Sequence, residues 1–318
     1  MSHPCWLTRS GGGWQRLVKW KRGVGQDQIE DRRGQGGGGL GFPFPTGQAG
    51  GTGGSRLPIP MPTGKGGCGG VVGLVVVVVV GFFLLRGGLG GGNALLPEGS
   101  PEPDEIGEFM GFIVDDIQDE WTEILPDQTG NAYQATTLVR FEGQVQTGCG
   151  FASSAVGPFY CPADGKVYVD TGFFNELSDR FGAPGDFAQA YVIAHEFGHH
   201  VQNVLGTSDQ VRAEQQASPS VANELSVRLE LQADCYSGIW ANTAFGDQLL
   251  EPGDVEEGLE AAAAVGDDRI QSQGRGQINP ETWTHGSSEM RQRWFTTGYE
   301  RGQVDECDTF SRSADVGL

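Results

Sequence analysis

Positive charge and histidine are both scarce in this chain of 318 residues, which has 21 Lys and Arg against 41 Asp and Glu, and five His. The basic residues are also unevenly spread. Nine of them, against three acids, lie in residues 1–65, while residues 87–318 carry eleven against thirty-eight. A mildly basic stretch is thus joined to a strongly acidic body, which repels nucleic acid and suits neutral, basic or metal-ion partners. Charge vanishes altogether over the twenty positions between Lys65 and Arg86, where residues 71–85 include six consecutive valines.

That uncharged run matches, as a helix, a hydrocarbon core of roughly 30 Å. A buried strand would be far shorter, and a cleaved signal peptide would start near residue 1. The sequence therefore predicts a disordered Gly/Pro-rich basic tail over 1–65 and a transmembrane helix over 66–86. A linker over 87–102 and one folded domain over 103–318 complete the expected order. The basic flank before the run and the acidic flank after it predict a single-pass cell-membrane protein, its N-terminus cytoplasmic and its domain extracytoplasmic. Cys149, Cys161, Cys235 and Cys307 then fall where disulfides persist. Pairing Cys149 with Cys161 closes a short loop around a hairpin and leaves Cys235 with Cys307.

Within the domain, Ile106, Phe109, Met110, Ile113, Ile117, Trp121 and Ile124 follow helical spacing, with Pro126 as the expected stop. Two β-type runs follow, over 137–141 and 159–170, the second turning at Asp164-Gly165. A strong helix signal starts at Asp186, a cap candidate with Gln189 three residues on, and stops at Gly206. Further helices are expected from Ser218-Pro219 to about Phe245, over 254–265, and from Ser287 to about Tyr299. This is a helix-dominated α+β pattern with a small antiparallel sheet and no internal repeat.

His195-Glu196-Phe197-Gly198-His199 lies inside the strongest helix. Residues four apart share a helix face, so both imidazoles can reach one metal ion. Glu196 is turned away by about 100°, placed to take a proton from a water rather than to ligate. Zinc needs a third protein ligand, and the next helix offers Glu224, Glu230 and Asp234. His285, one of the five His, precedes a helix and could donate to a developing oxyanion; a fourth ligand and a core or capping His are the alternatives. His200 faces another side of the helix.

Glu230-Leu231-Gln232-Ala233-Asp234 resembles the ExxxD of glutamate-type zinc peptidases. The resemblance implies Glu230 on zinc and Asp234 as the acceptor that orients His195. Four stretches together are similar to the bacterial neutral zinc metallopeptidase family: Ile29-Glu30-Asp31-Arg32-Arg33, 191–202 (YVIAHEFGHHVQ), 228–235 (RLELQADC) and 284–295 (THGSSEMRQRWF). Members begin at a Met just before a Lys-Trp-like pair, which implies a natural start at Val18, ahead of Lys19-Trp20. A more distant likeness to the prenyl-protein endoprotease clan covers HExxH and the His285–Arg291 spacing. It fails at Ser226, where that clan has Asn. In that clan the late His stabilises the oxyanion.

These resemblances imply a zincin-like domain that holds Zn2+ with His195, His199 and Glu230, and hydrolyses peptide or protein substrates with Glu196 as base and His285 as oxyanion donor. A non-catalytic zinc-bearing membrane scaffold and a zinc hydrolase of cell-wall amide bonds are the rival readings. Residues 167–169 are the best local candidate for a sheet edge that holds an extended substrate, with an ordinary core strand as the favoured alternative.

Overall fold

Asp104 opens the first long helix, α1 (Glu105–Thr129), by accepting the Gly107 N–H at 2.7 Å. The computed structural model describes residues 18–34 and 104–318, apart from 180–181, 184, 252, 275–278, 312–313, 315 and 318. Apolar residues of α1 at three- and four-residue spacing, from Phe109 through Trp121 to Leu125, are buried. The helix runs one turn past Pro126, the expected stop, to a left-handed Gly130 whose N–H returns to the Pro126 carbonyl. A proline so near the end removes only one helical hydrogen bond, so the glycine sets the terminus.

Six short strands follow the sequence order β1 (Ile29–Asp31), β2 (Leu138–Phe141), β3 (Gln144–Thr147), β4 (Gly150–Ser153), β5 (Phe159–Cys161) and β6 (Lys166–Asp170). The main sheet has the order β1-β2-β6-β5, while β3 and β4 form a separate antiparallel hairpin. Antiparallel pairing is present in that hairpin and between β5 and β6, yet β1–β2 and β2–β6 are parallel. The sheet is therefore mixed. Alternation sends Leu138, Val167 and Val169 to the helical core, and Val139, Phe141 and Tyr168 to a smaller core with Val145 of the hairpin. Strand β6 lies inside the sheet, so 167–169 form a core strand, the favoured alternative to a substrate-holding edge; β5 is the edge on that side.

The remaining helices are α2 (Phe173–Asp179), α3 (Asp186–Val204), α4 (Thr207–Ala217), α5 (Ala222–Gly246), α6 (Asp254–Ala264), α7 (Asp267–Gly274) and α8 (Ser288–Arg301). Gly185, not Asp186, is the N-cap of α3; Asp186 instead accepts the Val18 backbone N–H at 2.6 Å. Helices α3, α5 and α8 pack closely because glycines meet backbone. A Cβ at Gly298 would stand 1.9 Å from the Cys235 carbonyl oxygen, one at Gly238 2.1 Å from that of Phe295, and one at Gly198 2.8 Å from that of Ala233. Trp121 and Trp240, each 1% exposed, fill the core beside them; truncating either to Ala costs about 3–5 kcal/mol. Two disulfides, Cys149–Cys161 and Cys235–Cys307, tie β5 to the loop after β3 and α5 to the C-terminal segment.

Part of the expected tail is folded onto this domain. Residues 29–31 pair with 138–140, Arg33 binds Asp31 and Asp104, Arg22 binds Glu105 and Glu108, and Trp20 packs edge-on against Phe109. Main-chain pairing, charge and the packing of Val18, Trp20, Val24 and Ile29 against the core hold this segment, although those apolar residues follow no regular period. The reading of 1–65 as a wholly disordered tail is therefore corrected for residues 18–34, which are folded. The expected span over 66–86 and linker over 87–102 lie outside the described residues; among those described, no helix is long and apolar enough to cross a membrane.

Candidate metal centre

The close approach of α3 and α5 at Gly198 brings three donors together. Nitrogens of His195 and His199 and a carboxylate oxygen of Glu230 lie within 4.8 Å of one another. His195 Nε2 is 3.2 Å from Glu230 Oε2, and His199 Nε2 is 3.5 Å from Glu230 Oε1. Glu224, the competing carboxylate on α5, is turned outward and paired with Arg228 at 2.9 Å. His285 is not part of the converging set. Its Nδ1 faces Asp267 Oδ1 at 3.3 Å, and Asp267 also accepts the backbone N–H groups of Thr284, His285 and Gly286.

Each histidine is oriented through its Nδ1. His195 Nδ1–H donates to Asp234 Oδ1 at 2.8 Å. Asp234, fully buried, also accepts from Tyr191 Oη at 2.6 Å and from Arg291 Nε at 2.7 Å and Nη2 at 2.9 Å. His199 Nδ1–H donates to Gln202 Oε1 at 2.8 Å. Both Nε2 atoms thus face Glu230, where they can ligate a metal once deprotonated. Two imidazoles that present Nε2 and one carboxylate make up the protein donor set of a hydrolytic zinc site. The residues present fit zinc.

The electrostatics follow from this crowding. Burial works against charge on His195, but Asp234 and then Glu230 outweigh it and raise its pKa to about 9. Burial would raise Glu230, yet His199 and His195 hold it well below the usual carboxylate range. Glu196, 8% exposed, is raised by burial, with His195 and His199 pulling it partly back. Burial disfavours a charged His285, but the hydrogen bond to Asp267, and then Glu230, raise its pKa overall. His200 is buried rather than on the surface. It bonds to Tyr160 Oη at 3.1 Å and the Gln134 carbonyl at 2.5 Å, pinning β5 to α3. Burial lowers its pKa.

Comparison with known proteins gives this donor set a context. The family model of putative neutral zinc metallopeptidases matches residues 18–310. The chain belongs to this family. It is 41% identical over 307 residues to the uncharacterized protein YpfJ of Escherichia coli K12, an alignment covering 93% of this chain and all of that protein. It is also 52% identical over 208 residues to the uncharacterized protein Rv2575 of Mycobacterium tuberculosis H37Rv, covering 62% of this chain and 68% of the relative. No solved structure gives a significant match. Family membership implies zinc and a protein substrate.

Sequence reasoning missed three members of the site: Gln202, Tyr191 and the anchoring role of Arg291. Gln202 sits three residues after His199, on the same helix face, and that spacing was the available signal.

Proposed function

We propose that this protein is a zinc-dependent metallopeptidase that hydrolyses peptide bonds, with zinc held by His195, His199 and Glu230. The convergence of these three donors, with Glu196 on the next position of the same helix, carries the reading. Bound zinc supplies a Lewis acid that polarises the scissile carbonyl and acidifies a water. Glu196 accepts the proton of the attacking water and delivers it to the leaving amine. Burial raises its pKa, the direction a proton acceptor needs near neutral pH. His285, anchored by Asp267, donates to the developing oxyanion. Strand β5, the sheet edge attached to α3 through Tyr160 and His200, offers main-chain groups to an extended substrate.

The two disulfides support an oxidising, extracytoplasmic compartment. The uncharged run 66–86 supports attachment to a membrane. Both parts have direct tests. Glu196→Gln should retain zinc and lose peptide cleavage, because it removes the base and no ligand; full residual activity refutes the mechanism. Deleting 66–86 should move the protein from the detergent-extracted membrane fraction to the soluble one.

A further inference from the structure

His199 is oriented by an amide whose direction is set elsewhere. Gln202 is fully buried, and its Nε2 donates to the Leu229 carbonyl at 2.6 Å and to Gln232 Oε1 at 3.2 Å. A backbone carbonyl only accepts, so the amide nitrogen must face α5 and Oε1 must face His199. The same logic fixes Gln232, 6% exposed, whose Nε2 donates to the Cys307 carbonyl at 3.0 Å. Two backbone carbonyls, of Leu229 and Cys307, thereby polarise a chain of amides. That chain accepts the Nδ1 proton of His199 and leaves Nε2 bare.

Cys307 is also the residue bonded to Cys235 on α5, five residues after Glu230 and next to Asp234. The disulfide and Thr309 Oγ1, which donates to the Arg228 carbonyl at 2.7 Å, both join the segment that carries the 307 carbonyl to α5. We propose that Gln202 and Gln232 form a relay through which the Cys235–Cys307 disulfide sets the affinity of His199 for the metal. This rests on the zinc reading above. Gln202 is a positioning residue: it touches a ligand, not substrate. Without the disulfide the C-terminal segment loosens, Gln232 loses its acceptor, Gln202 can turn, and His199 samples the wrong tautomer. A thiol reductant has this effect by exchange: Cys235 and Cys307 each gain one hydrogen while two reductant thiols close to a disulfide. The site is then tight in an oxidising compartment and weak in a reducing one.

The test is a zinc titration of the full chain against a competing chromogenic chelator, for the parent, Gln202→Met, Gln232→Met, Cys235→Ser/Cys307→Ser, and the triple variant with Gln232→Met. Zinc binding by the parent is measured first; its absence refutes the zinc reading and is read separately. Losses for orienting partners of a metal ligand are about 10–100-fold. Gln202→Met should fall in that range. The cysteine pair should cost several-fold in the parent background and nothing further once Gln232 is Met. Cys149→Ser/Cys161→Ser, which opens the other disulfide, should leave affinity unchanged. Nitrogen NMR of the zinc-free parent, at a pH where His199 is neutral, should show Nδ1–H alone, and Gln202→Met a mixture. Equal cysteine losses with and without Gln232, or a single His199 tautomer in Gln202→Met, overturns the proposal.

Discussion

Replacing Asp234 with Ala should harm the zinc-free domain as well as the metal site, and the two harms can be measured apart. Its carboxylate is fully buried and meets His195, Tyr191 and both donor nitrogens of Arg291. Arg291 is 3% exposed, and its Nη2 lies 3.3 Å from His195 Nδ1. Removing the acid takes from a buried guanidinium its hydrogen-bonded counter-charge, which costs about 3–5 kcal/mol. For a domain of this size each kcal/mol is worth about 2–4 °C in Tm, so the zinc-free melting point should fall on the order of 10 °C. Zinc affinity should drop at least the 10–100-fold expected from losing the orienting acceptor, because the stranded guanidinium now repels the cation. Arg291→Met in the Asp234→Ala background should recover much of the lost stability but only the share of the affinity lost to repulsion, since the orienting acceptor is still missing. Calorimetry of the metal-free variants and chelator competition supply the two numbers. A zinc-free Asp234→Ala that melts with the parent refutes the argument, because Arg291 would then have another counter-ion.

Glu230→Ala should abolish zinc retention through purification, whereas Glu224→Ala, which removes only the exposed pair with Arg228, should behave as the parent in metal analysis. Gly198→Ala should weaken zinc binding and lower Tm, since its Cβ would stand 2.8 Å from the Ala233 carbonyl oxygen and push α3 from α5. Glu120, raised to about 7 by burial and by Asp116 and Asp247, should make the domain less stable as pH rises. A carboxyl whose folded pKa exceeds its unfolded value contributes stability below that unfolded value and loses it as pH climbs through the folded one. Glu120→Gln should therefore raise Tm at pH 8 and leave it nearly unchanged at pH 4. Peptide mapping without reduction should recover Cys149–Cys161 and Cys235–Cys307, and free thiols at all four would contradict the extracytoplasmic assignment.

The parts of this protein that were legible in its sequence are those whose signal is local. His195, Glu196 and His199 share one helix with a clear start and stop, and Glu230 and Asp234 share another, so spacing put the two histidines on one face and the two acids on another, while the resemblance implied the acids' roles. What spacing could not supply was the contact between the helices. That depends on Gly198 meeting the Ala233 backbone, which no periodicity encodes. Gln202 escaped notice because its amide is committed to carbonyl and amide groups of a different helix. The parallel pairing of 29–31 with 138–140 joins residues more than a hundred positions apart, and Ile29-Glu30-Asp31 has no apolar alternation to announce a strand. Asp186 read as a cap because its residue type suits one, yet its carboxylate is engaged by Val18 from outside the helix.

The docked N-terminal strand closes the chain into a ring. Residue 33 and residue 104 meet through the Arg33–Asp104 ion pair, so the two ends of the intervening segment are held together. A ring survives a single cut. Cleavage anywhere between 35 and 103 would yield two fragments still joined by the β1–β2 ladder and the Arg22, Arg33 and Gln28 contacts to α1 and its cap. The short fragment would then behave as a dissociable peptide. Its departure would bare the outer edge of β2, and a synthetic 18–34 strand added in trans should fill that edge again.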